Sequence, residues 1–271
     1  MPQKNKKTNA RKRHSPRYNW KPDLPDFRDY TFAERFMTQP SLPSRIDLRP
    51  LCPLIVDQGK IGSCTANALS GALGYLELQE LKTKGLDPQE FGADFAAFSR
   101  LFIYYNERAL EGHVNQDSGA SLRDGIKTLA ALGACREAIW KYTASQVFKK
   151  PTPKSYKEAA QHTISTYLRL ETLPEMKQCL SSGYPFVFGF TVYESFESPI
   201  VARTGIMPLP SDDEQPIGGH AVLAVGYDDL ARQLIVRNSW GTQWGDSGYF
   251  RMPYDAIEKL KLAQDFWVIK R

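Results

Sequence analysis

The feature that most constrains this chain is a change of hydrophobic period near Pro151. Ahead of it, residues 65–82 place Ala66, Leu69, Leu73 and Leu76 at spacings of three and four, which predicts a one-faced helix. Further helices are predicted over residues 94–110 and 122–132. The second of these opens on Ser121 with Asp124 three positions on and stops at Gly133. After Pro151 the apolar runs become short and rich in Val, Ile, Phe and Tyr, as in 163–170, 186–192, 220–227, 234–237 and 248–252, which predicts strands. Only a short helix over 174–180, capped by Thr172 and stopped by Gly183, interrupts them. Helices first and strands second argue for an α+β chain of two packed lobes with a cleft between them, not a doubly wound sheet.

The chain has 271 residues, 42% of them hydrophobic, enough for one large core or two smaller ones. No apolar run reaches the length of a membrane-spanning helix. The net charge of +5 misleads, because Lys4, Lys6, Lys7, Arg11, Lys12, Arg13 and Arg17 supply seven positive charges and the remainder is slightly acidic. This tail has no interleaved aromatic before Tyr18, so it reads as a solubilising leader in preference to a contact for nucleic acid or an anionic surface. It lacks the apolar core of a secretory signal, and a cytoplasmic or an exported destination fits equally well. The proline-broken stretch 18–32 is expected to be extended.

Cys52, Cys64, Cys135 and Cys179 are widely spaced without a C-x-x-C pair, which argues against a structural metal site; no disulfide and no cofactor are expected. One of the four stands apart. In DQGKIGSCTANA, residues 57–68, a glycine-rich turn delivers Cys64 to the start of an apolar helix, where unpaired N–H groups favour a thiolate. Alone, that cysteine could equally be packing material. Gly218-Gly219-His220 opens one strand and Asn238-Ser239-Trp240 follows another, so two neighbouring strands could unite His220 with Asn238. A thiol peptidase needs an imidazole to hold the thiolate and protonate the leaving amine, and a partner to orient that ring. Taken singly, His220 reads as a strand-end histidine and Asn238 as a turn former. His14, His113 and His162 read as surface residues.

Together, DQGKIGSC, GGHAVLAVGY and RNSWGTQWGDSGYFRM resemble, in the same order, the nucleophile, histidine and asparagine blocks of the papain family. His220 and Asn238 follow Cys64 by 156 and 174 residues, slightly more than the roughly 130 to 150 usual for the family. The resemblance implies a papain-like two-lobe α+β fold, with a helical lobe and an antiparallel, barrel-like strand lobe. It implies residues 1–41 as a tail plus pro-like segment and 42–271 as the peptidase domain, with a mainly helical part over 42–150, a mainly strand part over 151–252 and a C-terminal segment packing back. It further implies Cys64 as nucleophile, His220 as acid and base, Asn238 as orienting group and Gln58 as oxyanion donor. Trp240 would shield the Asn238–His220 bond, and Gly119, Ala120 and Gly219 would contact substrate, although Gly119 could also be a plain loop glycine. The expected partner is a polypeptide substrate, with no metal, and the expected state a monomer. Thr65 and Ile61 replace an aromatic and a cysteine common in the family, which moves the likeness toward bacterial and viral members. An acyl transferase and a silent papain-fold binding protein are the alternatives. Residues 18–32 either block the primed side of the cleft or serve as a strut held by Trp20 and Tyr30.

Overall fold

A computed structural model describes residues 18–32, 41–92 and 94–271; the basic tail, including His14, lies outside them. The elements, in chain order, begin with a two-residue strand β1 (Trp20–Lys21) and β2 (Arg45–Asp47), then α1 (Cys64–Thr83), α2 (Arg100–Leu110), β3 (Ala120–Ser121) and α3 (Leu122–Leu132). There follow α4 (Pro153–Ala159), β4 (Thr166–Leu170), α5 (Leu173–Ser181), β5 (Phe186–Tyr193), α6 (Pro199–Thr204), β6 (Pro216–Asp228), β7 (Gln233–Arg237), β8 (Tyr249–Pro253), α7 (Tyr254–Glu258) and β9 (Ala263–Lys270). The main sheet runs β4-β9-β5-β6-β7-β8, with β2 also on β6, and its pairings are antiparallel. The change of period near Pro151 is therefore real: the long helices come first and most of the strands second.

Side-chain alternation along the strands divides the core. Val187 and Trp267 face the helices, joining Leu69, Phe102, Ile126 and Leu223. Phe186, Phe188, Phe190 and Val268 point the other way and pack with Leu180, Phe250 and Tyr254. Caps read from sequence hold in detail: Ser121 accepts from the Asp124 N–H and Thr172 from the Glu175 N–H.

Three local expectations change. Helix α1 is not one-faced, since every residue from Cys64 to Leu76 is buried. Small residues such as Ala66, Gly71 and Gly74 let it run through the middle of the molecule between α2, α3 and the sheet. Helix α2 starts at Arg100, not near 94, because Ser99 caps it and its own N–H is held by the Cys135 carbonyl at 2.7 Å. His162 is not a plain surface residue; it is half-buried among Glu158, Glu77 and Arg271 and against the Phe98 ring. The four cysteines are free thiols, three of them buried.

Candidate active site

Cys64 begins α1, and the strand next to it is β6. Backbone N–H groups of Ala221, Asn19 and Thr65 aim at the thiol. Strands β6 and β7 are antiparallel neighbours, with Leu223 opposite Arg237, so the residue after β7 returns beside the start of β6's buried stretch. His220 Nε2 there meets Asn238 Oδ1 at 2.8 Å. That bond leaves Nδ1 without a partner among the described residues, on the residue preceding the one that reaches Cys64. Trp240 stacks on the imidazole with ring centres 4.9 Å apart and Phe190 abuts its edge, so the His220–Asn238 bond is dry.

Gln58 is buried and its amide orientation is fixed. Oε1 accepts from the Ser239 hydroxyl at 2.6 Å, while Nε2 donates to the Ile61 carbonyl at 3.1 Å. The Ser239 N–H in turn donates to Asn238 Oδ1 at 2.8 Å. One serine thus sets both amide side chains. Sequence reasoning missed it, because a serine within a recognised motif carries no period or charge to mark it. Asp117 was missed as well: it accepts from the Gly62 N–H and from Tyr104 OH, tying the turn before Cys64 to the rim at Gly119.

The three rim positions read from sequence all lie under residues 18–21. Trp20 and Lys21 pair in parallel with Ala120 and Ser121, and Asn19 bridges Gly219. Gly119 has φ +69°, and a β-carbon there would run into the Asn19 carbonyl. The Trp20 indole lies over Gly219 and Gly189, where a β-carbon would overlap the ring. Tyr18 packs edge-on against His220 and Trp240, each at 5.9 Å, and its hydroxyl bonds Glu197. From Tyr18, against His220 and Trp240, the strap formed by residues 18–32 crosses to the Gly119–Ser121 rim.

Beyond the cleft the strap is anchored by charge. Lys21 pairs with Glu111 at 2.7 Å. Asp23 accepts from the Trp267 indole N–H at 2.8 Å and the Arg123 N–H at 3.1 Å, while its own N–H donates to Asp265. Asp29 pairs with Arg123 and Arg169. Trp20 anchors by its buried ring, but the Tyr30 ring is exposed and the anchor there is its carbonyl, bonded by the Arg169 N–H at 2.8 Å.

Burial sets the electrostatics. It pushes the Cys64 thiol up to about 11, against the N–H groups of Ala221, Asn19 and Thr65, and the His220 imidazole down to about 4, so at neutral pH both are uncharged. Among the described residues no cluster of three or more His, Cys, Asp or Glu could hold a metal, and no helix is long and apolar enough to cross a membrane.

The family model described as papain family cysteine protease matches residues 114–268, and an uncharacterized peptidase C1-like protein of Acanthamoeba polyphaga mimivirus is 43% identical over 224 residues, 79% of this chain and 69% of that protein. The chain belongs to the papain family of cysteine proteases. The crystal structure of xylellain, a cysteine protease from Xylella fastidiosa, superposes with a TM-score of 0.80 at 42% identity, covering 93% of this protease and 95% of that chain. Mouse pro-cathepsin H is 44% identical over 215 residues, 77% of this protease and 59% of that precursor. The expected bacterial and viral likeness is thus found. The matched stretch takes in His220 and Asn238, whereas Cys64 and Gln58 precede it.

Proposed function

We propose that this protease cleaves peptide bonds with Cys64 as nucleophile, His220 as acid and base, Asn238 orienting the imidazole and Gln58 donating to the oxyanion, and that residues 18–32 hold the full chain closed. The observation that carries the reading is the Nε2–Asn238 bond, which leaves His220 Nδ1 without a partner among the described residues, one residue before the Ala221 N–H that reaches the thiol. Sulfur attacks the scissile carbonyl carbon as Cys64 gives its proton to the imidazole. The oxygen that becomes negative is met by the Cys64 N–H and the Gln58 amide. The C–N bond then breaks, the imidazolium protonates the departing amine, and a thioester remains. Water, deprotonated by neutral His220, releases the acid and restores the thiol.

On this reading residues 42–271 form the peptidase domain and the strap acts as a short pro-segment. It aims the Asn19 N–H at the sulfur, and an N–H offers no carbon to attack. The test is active-site titration with a thiol-reactive epoxide, the label located by peptide mass. Stoichiometric labelling at Cys64, lost in Cys64→Ala and slowed in His220→Ala, is expected. Activity that survives Cys64→Ala overturns the assignment, and equal labelling rates before and after removal of residues 1–41 overturn the closed state. Product analysis with an added amine separates hydrolysis from acyl transfer.

A further inference from the structure

Beneath the nucleophile lies an acid that the mechanism above does not use. Glu107, on α2, is fully buried, as is Thr65, the residue after Cys64. Thr65 Oγ1 donates to Glu107 Oε2 at 2.8 Å, and Oε1 has no partner among the described residues. Room for this carboxyl comes from Gly125 in the middle of α3, where a β-carbon would overlap Glu107 Oε1. A glycine inside a helix and an unpartnered buried oxygen both destabilise a fold, and features of that kind gather at functional sites. The neighbouring cation does not account for the acid, because the Arg108 guanidinium is bound to the carbonyls of Tyr104, Val114, Gln116 and Val147.

We infer that Glu107 is a positioning residue of the peptidase: through Thr65 it fixes the first turn of α1 and with it the Cys64 thiol, and a charge on Glu107 opposes the Cys64 thiolate. This rests on the assignment of Cys64 as nucleophile. Burial pushes Glu107 up to about 8; Glu111 at the end of α2 and Asp124 on α3 add to the rise, while the Thr65 bond and Arg108 oppose it. The acid is therefore neutral near pH 7 and ionises above it, where its charge raises the thiol's own pKa. Thiolate formation is impeded at the alkaline end.

The experiment measures the rate of Cys64 alkylation by iodoacetamide and kcat/KM on a fluorogenic peptide from pH 5 to 10. The full chain is used throughout, so that strap opening cancels in the ratios. Glu107→Ala and Thr65→Val are expected to slow both rates by about tenfold or more near pH 7, where Glu107 is neutral and only the misplacement of the thiol counts. Glu107→Gln keeps an acceptor for Thr65 and restores the rate near pH 7, but loses the inflection near pH 8 in the alkylation profile. If Glu107→Ala does not fold, the other two variants carry the test. Folded variants whose rates and profiles match the parent overturn the inference. Stoichiometric, inactivating label at Cys64 in that same case confines the failure to Glu107, whereas label elsewhere with activity intact removes the nucleophile assignment and this inference together.

Discussion

Replacing Trp20 by alanine isolates the strap's hold on the cleft. The indole is 6% exposed, and a tryptophan buries about 150–250 Å². At about 25 cal/mol per Å² that corresponds to roughly 4–6 kcal/mol for full burial. The indole N–H has no acceptor among the described residues, which takes back about 1–3 kcal/mol. The remainder, about 3 kcal/mol, matches the low end of measured aromatic-to-alanine losses, about 3–5 kcal/mol. At about 1.4 kcal/mol per decade this shifts the closed-to-open equilibrium of residues 18–21 about a hundredfold. The assay is the labelling rate of the intact full chain by a thiol-reactive epoxide, with intactness checked by mass. Labelling about a hundredfold faster than the parent, up to the ceiling set by chain lacking the strap, is expected. Leu24→Ala, whose side chain is 81% exposed, serves as the control and should leave the rate alone. A folded, intact Trp20→Ala chain labelled within about threefold of the parent would refute the reasoning.

Other outcomes follow from the same geometry. Docking places Asp23 beside Asp265, and burial first, then the Asp23 charge, lift Asp265 to about 6 against the Asp23 N–H and Arg169, which hold it down. The docked form therefore holds its protons more tightly than the released form, so closure strengthens as pH falls from about 6 toward the ordinary carboxylate value and this contribution is lost above 6. Labelling of the full chain relative to strap-free chain should drop between pH 7 and 5, and Asp265→Asn should abolish that drop. Ser239→Ala removes one hydrogen bond to Gln58 Oε1; steady-state kinetics should show kcat lowered about three- to tenfold with little change in KM. Gly189→Val puts side-chain atoms where the Trp20 ring lies, so it should speed labelling of the full chain, as Trp20→Ala does, while circular dichroism shows the fold retained.

What was legible in the sequence follows physical locality. The start of α1 at Cys64, the Ser121 and Thr172 caps and strands β5 to β8 rest on patterns within about ten residues of chain, and those stand. Strand β9 escaped because it is inserted between β4 and β5 from the far end of the chain, a pairing no local pattern encodes. Helix α4 escaped because, although Thr152 and Pro153 open it, it buries only Ser155 and Ala159 and so shows no apolar period. The strap was read as extended, but its course over the cleft depends on Trp20 finding the gap above Gly189 and Gly219, which lie 169 and 199 residues away. For the site, the residues that would react were legible as motifs. Those that hold them, Ser239, Asp117 and Glu107, were not, because each acts through hydrogen bonds to residues distant in the chain.

The seam between the helical and strand halves is stitched at its catalytic end. Gln58 N–H bonds the Ser239 carbonyl at 2.9 Å, Asp57 bridges Trp240, and Arg237 reaches back to the carbonyls of Pro53 and Leu54. Parting the halves like a hinge would tear these bonds and separate the groups meant to react. The molecule's mechanics therefore favour peeling: a short ribbon held by the Tyr18 and Trp20 rings, a two-residue pairing and a few charges can lift from its cleft end, with Phe32 as its buried pivot, while the frame behind it stays rigid. Access to the cleft and alignment within it are then independent, so whatever frees the ribbon need not rebuild the site.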